Sequence, residues 1–156
     1  MNPERRNPPP EPSAFTAETG HFGSIRVEED QVITLSPGLL GFPDLRRYLL
    51  MEHSQESPFL WLQCLDDPSL AFVVLDPVNI VPDYRPGPPE ALLKQSEAQS
   101  PADLKVLVIV TIPPGRPQDM TANLMAPVVI NLKTRRGKQL VLERSSYSHQ
   151  HRVMGE

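Results

Sequence analysis

The chain has one cysteine, Cys64, and one tryptophan, Trp61. A lone cysteine excludes a disulfide framework within the chain, and a cysteine-based zinc site would lack its other ligands. Cys64 falls in an apolar run with no activator beside it, so a buried, inert thiol is expected. No segment reaches the roughly 18–20 consecutive apolar residues of a spanning helix, and the start of the chain has no apolar run of signal-peptide length. A cytoplasmic location and no membrane partner are therefore expected. There is no glycine-rich phosphate loop, because Gly115 and Gly137 stand alone. His149 and His151 have a metal-like spacing, but no cysteine or carboxylate stands beside them, and solvated positions are expected. Asp66 and Asp67 precede Pro68 and read as a turn in preference to an acid–base pair. Nucleophile, base and orienter never occur together, so no catalytic, metal or cofactor site is assigned and no enzyme is expected.

Proline, in contrast, is abundant, with 19 in 156 residues. Five fall within the first twelve positions, among Asn, Glu and Arg. That run cannot bury enough apolar surface to offset its ordering entropy, so residues 1–20 are expected to be a disordered tail. The remaining prolines shorten every element they touch. Apolar residues make up 39% of the chain, enough for one modest core. Residues 21–144 are expected to form that single domain, and residues 145–156 a flexible polar tail. Charge is uneven along the chain. Residues 37–104 hold four Lys/Arg against ten Asp/Glu, whereas residues 105–156 hold eight against three. An acidic middle favours a basic partner and discourages contact with nucleic-acid phosphates. The same carboxylates also serve simple solubility.

Most of the remaining signal is short and β-rich. His21–Val27 alternates, Glu28–Asp30 is a polar turn, and Gln31–Leu35 reads as the returning strand of a hairpin. Ser36–Gly38 ends it, and Leu39–Pro43 is an apolar loop held open by Gly and Pro. Asp44 is placed to cap one helical turn through Arg47. Tyr48–Glu52, Phe59–Cys64 and Leu70–Leu75 form a meander. Pro89–Gln95 is the best helix, with Pro at its start and Lys94 late. Leu104–Ile112 is the strongest strand, dense enough in apolar residues to be buried on both faces. Met120–Met125 and Pro127–Leu132 follow, and Lys138–Glu143 closes a last hairpin across a basic turn. Eight or nine short strands with one or two short helices predict a mainly β fold, a small antiparallel barrel-like domain.

Several phrases carry a resemblance beyond this pattern. They are Gly38-Leu39-Leu40-Gly41-Phe42, Pro58-Phe59-Leu60-Trp61-Leu62-Gln63 and Asp67-Pro68-Ser69-Leu70-Ala71-Phe72. Val81-Pro82-Asp83-Tyr84, the run Thr121–Asn131 and Gly137-Lys138-Gln139 continue it. In this order, over residues 21–148, they resemble the FliW family of flagellar assembly factors. The proline-rich start and the interruption at Pro86–Pro89 depart from the family by enlarging the loops. The resemblance implies a β-barrel-like fold and two protein partners. One is flagellin. The other is CsrA, a small RNA-binding translational repressor, which the family antagonises allosterically; flagellin and CsrA compete for it. A monomer without direct nucleic-acid contact is expected. The residues fit at the loops holding Phe42, Asp66, Asp67, Asp83 and Tyr84, where aromatic and acidic groups of the kind that anchor and orient interfaces are expected. Each also has a structural alternative: Phe42 as core, the aspartates as turn formers. Asn123 and Asn131 sit at strand positions where Asn is disfavoured, which points to hydrogen bonds with backbone, or else with a partner. The alternative function is an RNA- or small-ligand-binding barrel using Arg135, Arg136 and Lys138 of the basic final hairpin.

Overall fold

Short apolar runs cut by Gly and Pro leave few residues per element, and the chain answers by closing a sheet on itself. The computed structural model describes residues 14–52, 54–143 and 145–154. Its strands are β1 (Ala14–Thr19), β2 (Gly23–Glu28), β3 (Ile33–Leu35), β4 (Arg47–Glu52), β5 (Phe59–Cys64) and β6 (Ala71–Leu75). They continue with β7 (Leu104–Thr111), β8 (Thr121–Ala122), β9 (Val128–Asn131), β10 (Arg136–Gln139) and β11 (His151–Arg152). The single α-helix among the described residues, α1, covers Pro89–Gln95, as its sequence predicted.

Seven strands form a ring in the order β7-β6-β5-β4-β3-β10-β9, closed by pairing of β9 with the first half of β7. An odd ring cannot be antiparallel throughout, because strand direction must reverse at each step and still match on closure. The one parallel pair, β3 with β10, resolves this. Closure leaves the ring no exposed edge. The predicted meander β4–β5–β6 is present in full antiparallel register.

Alternation along each strand sends one set of side chains inward. Ile33, Leu35, Tyr48, Leu62, Cys64, Val74, Leu107, Val128 and Ile130 fill the barrel. The opposite face of β6, β7 and β8 carries a second cluster with Leu75, Val108, Val110, Met120 and Ala122. This explains the apolar density of β7, whose residues serve the barrel and the outer wall alternately.

Several expectations are corrected. Residues 23–28 do not pair with 33–35. They pair with β1, from Ala14↔Glu28 to Thr19↔Gly23, while β3 joins the barrel between β4 and β10. Residues 14–19, expected within a disordered tail, are thus a strand; its Phe15 and Ala17 turn inward beside Ile25 and Val27. Residues 1–13 lie outside the described residues. The expected C-terminal tail is likewise part of the wall: β11 pairs with β8, and Val153 donates its N–H to the Met120 carbonyl at 3.2 Å. These two segments raise the strand count from the expected eight or nine to eleven among the described residues. Residues 44–47 form no helical turn; Arg47 opens β4. No helix among the described residues is long and apolar enough to cross a membrane.

Candidate partner-binding surface

The register places several connections at one end of the barrel. Tyr48 of β4 faces Cys64 of β5, and Leu35 bonds the Arg46 carbonyl, so the 36–46 and 65–70 loops lie side by side. The turn between β1 and β2 joins them, with Gly20 N–H donating to the Pro68 carbonyl at 2.8 Å.

The 36–46 loop is folded tightly on itself. A Cβ on Gly38 would collide with the carbonyl oxygens of Phe42 and Leu45, so only glycine allows this approach. Gly41 adopts φ +88°, a second position that favours glycine. Hydrogen bonds from Gly38 to Pro43 (3.1 Å), Phe42 to Leu39 (2.8 Å) and Leu45 to Phe42 (3.2 Å) close the loop. From outside, Gln139 Oε1 accepts the Leu40 N–H at 2.8 Å while its Nε2 donates to the Ala126 carbonyl at 2.9 Å. The loop therefore divides its leucines. Leu39 enters the core at 1% exposure, whereas Leu40 is 60% exposed and Phe42 37%. The Phe42 ring stands edge-on to Phe72, with centroids 5.6 Å apart. The result is an apolar knob, Leu40 and Phe42, on a loop pinned from within and without.

The aspartates divide too. Asp66 Oδ2 accepts the N–H groups of Arg46 and Arg47, both at 3.0 Å, and Oδ1 accepts from Arg47 Nε at 2.8 Å. Burial opposes ionisation, but these donors outweigh it and hold the carboxyl below its usual value. Asp66 is thus a clamp between loops, engaged internally. Asp67 Oδ1 takes the N–H and hydroxyl of Ser69 at 3.0 and 2.7 Å, the turn-forming role. Asp44 and Arg46 are exposed nearby.

Asp83 and Tyr84 do not join this surface. Tyr84, expected as an exposed aromatic, is 7% exposed and belongs to the outer-wall cluster. Its hydroxyl donates to the Leu124 carbonyl at 2.6 Å, and its ring lies 4.5 Å from that of Tyr147. Tyr147 in turn accepts the Arg85 N–H at 2.9 Å. Asp83 is exposed on the turn beside it. Of the predicted residues, then, Phe42, Asp66 and Asp67 meet at one barrel end. Leu40 was missed; its signal was a leucine flanked by a glycine in a loop too short to bury both neighbours.

A family model described as FliW protein matches residues 16–153. The chain belongs to the FliW family. It is 41% identical over 140 residues to the flagellar assembly factor FliW of Treponema denticola, covering 89% of this chain and 93% of that protein. The counterpart in Natranaerobius thermophilus is 40% identical over 136 residues, covering 87% and 90%. A crystal structure of the flagellar assembly factor FliW superposes with a TM-score of 0.81 at 32% identity, covering 91% of this chain and 99% of that one. The phrases behind the resemblance prove largely architectural. Asn123 Oδ1 accepts the N–H groups of Met125 and Ala126, both at 3.1 Å. Asn131 accepts those of Lys133 and Thr134 and donates to the Ser96 and Glu97 carbonyls. Gln63 Nε2 donates to the carbonyls of Pro68 and Leu70. Each polar side chain braces a turn that the FliW barrel needs, and the backbone bonds expected of both asparagines are present.

Proposed function

We propose that this flagellar assembly factor works by holding flagellin and CsrA in turn, as a cytoplasmic monomer without catalysis. Binding CsrA away from its RNA site antagonises it, and export of flagellin frees the factor to do so, raising flagellin translation. The observation that carries the reading is the pinned knob of Leu40 and Phe42. An exposed apolar pair on a rigid loop supplies contact area at little ordering cost, which is what an interface anchor needs. Asp44 and Asp67 beside it favour a partner face that includes basic groups.

Calorimetric titration with CsrA, repeated with flagellin in competition, tests this. One-to-one binding of each partner, with mutual displacement, is expected. Leu40→Ser with Phe42→Ser should weaken at least one complex by about 2 kcal/mol or more, the size of an interface hot spot. Two partners that both fail to bind the unmodified chain would refute the function. Full affinity in the double variant would refute the surface.

A further inference from the structure

Beside this loop, but on the barrel wall, lies a cavity of about 240 Å³ whose lining includes Ser36, Ser96, Glu97, Thr134, Arg136 and Lys138. We propose that it binds a phosphate group, as inorganic phosphate or a small phosphomonoester.

The placement follows from strand geometry. Arg136 and Lys138 stand two apart on β10, so they share a face. Gly137 between them turns into the barrel, where a Cβ would lie 3.0 Å from Ile130 Cγ1 and 3.1 Å from Leu35 Cδ2. Both cations therefore project from the outer wall into the cavity, under the turn that follows α1. The four ion pairs among the described residues use Arg47, Arg116, Lys133 and Arg152, and neither Arg136 nor Lys138 enters one. Ser96 also lines the cavity, with its hydroxyl buried beneath the surface and without a hydrogen-bond partner among the described residues.

Glu97 is the one carboxylate of the lining, and it is exposed at a φ of 55°. The carbonyls of Ser96 and Glu97, which would repel an anion, already accept Asn131 Nδ2 at 3.1 and 3.3 Å. What remains of the polar lining is two cations and the side chains of Ser36, Gln95 and Thr134. A guanidinium fork, an ammonium point charge and these neutral polar groups match the acceptors of a tetrahedral dianion. The volume is below the roughly 300–1,000 Å³ of sites for drug-sized ligands. No aromatic residue lines it, so a nucleobase would find no stacking platform. Both facts favour a small phosphate over RNA.

The test is titration of the full chain with inorganic phosphate, with glycerol phosphate and with a single-stranded RNA decamer, at constant ionic strength set by chloride. Saturable one-site binding of one or both small phosphates is expected, and the stronger arm identifies the source. Arg136→Gln with Lys138→Gln should weaken it about tenfold or more, since it removes both charge-assisted partners. Ser36→Ala should weaken it less. If the double variant fails to fold, amide shifts of the unmodified protein decide: changes centred on Ser36, Ser96 and Thr134 support the site, and changes elsewhere overturn it. Absence of saturable phosphate binding overturns it, as does unchanged affinity in a folded double variant. RNA binding tighter than either phosphate would overturn the small-ligand assignment.

Discussion

Removing one oxygen atom, by Tyr84→Phe, separates an architectural residue from a binding residue. The Tyr84 hydroxyl donates at 2.6 Å to the carbonyl of Leu124, whose side chain is 1% exposed. Substitution keeps the ring against Tyr147 but strips the buried carbonyl of its donor, costing about 1–3 kcal/mol. At roughly 2–4 °C per kcal/mol for a chain of this size, the melting temperature should fall by several degrees. Tyr84→Ala adds a cavity in the outer-wall cluster and should cost about 3–5 kcal/mol. Phe42→Ser removes a ring that is 37% exposed, and should cost about 1–2 kcal/mol, the share of a Phe burial that its packing on Phe72 provides. Urea denaturation measures all three, and affinity for CsrA and flagellin is measured on the same samples. Tyr84→Phe should leave affinity intact while lowering stability, whereas Phe42→Ser should lower affinity. A Tyr84→Phe variant as stable as the parent would refute the hydrogen-bond argument. Loss of partner affinity in a fully folded Tyr84→Phe would return Tyr84 to the binding surface.

Four further outcomes are expected. Gly38→Ala should destabilise by roughly 3 kcal/mol, the upper end of overpacking costs, because backbone oxygens of Phe42 and Leu45 block the new methyl; a near-neutral urea midpoint would contradict the loop geometry. Asp66→Asn should cost about 1–2 kcal/mol at pH 7. The folded carboxyl titrates below its usual value, so this advantage is present above the unfolded pKa and fades as pH falls through the folded one. A gap between parent and variant that stays constant down to pH 2 would contradict that assignment. The Cys64 thiol is buried, and burial pushes its pKa up, so a thiol reagent should modify it only as fast as the barrel opens; rapid modification of native protein would show the strand exposed. Association with CsrA should slow as salt rises, given the acidic middle of the chain, and an on-rate flat across ionic strength would remove electrostatic steering from the account.

The chain by itself determined the elements whose cause is local. α1 follows from Pro89, Glu90 and Lys94; the β4–β6 meander follows from apolar runs separated by Asp-Pro and Ser-Pro turns; and the two-sided burial of β7 follows from its Val, Leu and Ile run at 106–110. The glycines at 38 and 41 marked a loop, as composition requires. What the tertiary structure decided is everything that depends on which segment lies opposite which. A strand's hydrogen-bonding groups are the same on both edges, so nothing within residues 23–28 distinguishes residues 14–19 from 33–35 as partner. The same holds at the other terminus, where His151 and Arg152 gain a strand only because β8 offers them an edge. Exposure is likewise non-local. Phe42 and Tyr84 both sit within two residues of a proline in loops, yet the first rests partly in solvent on Phe72 and the second lies beneath Tyr147 with its hydroxyl on Leu124, a carbonyl forty residues away. Asp66 looked available for a partner until the fold brought the Arg46 and Arg47 amides within 3.0 Å of it. Residue type sets what a side chain can bond to, and only the closed barrel determines which groups come within reach.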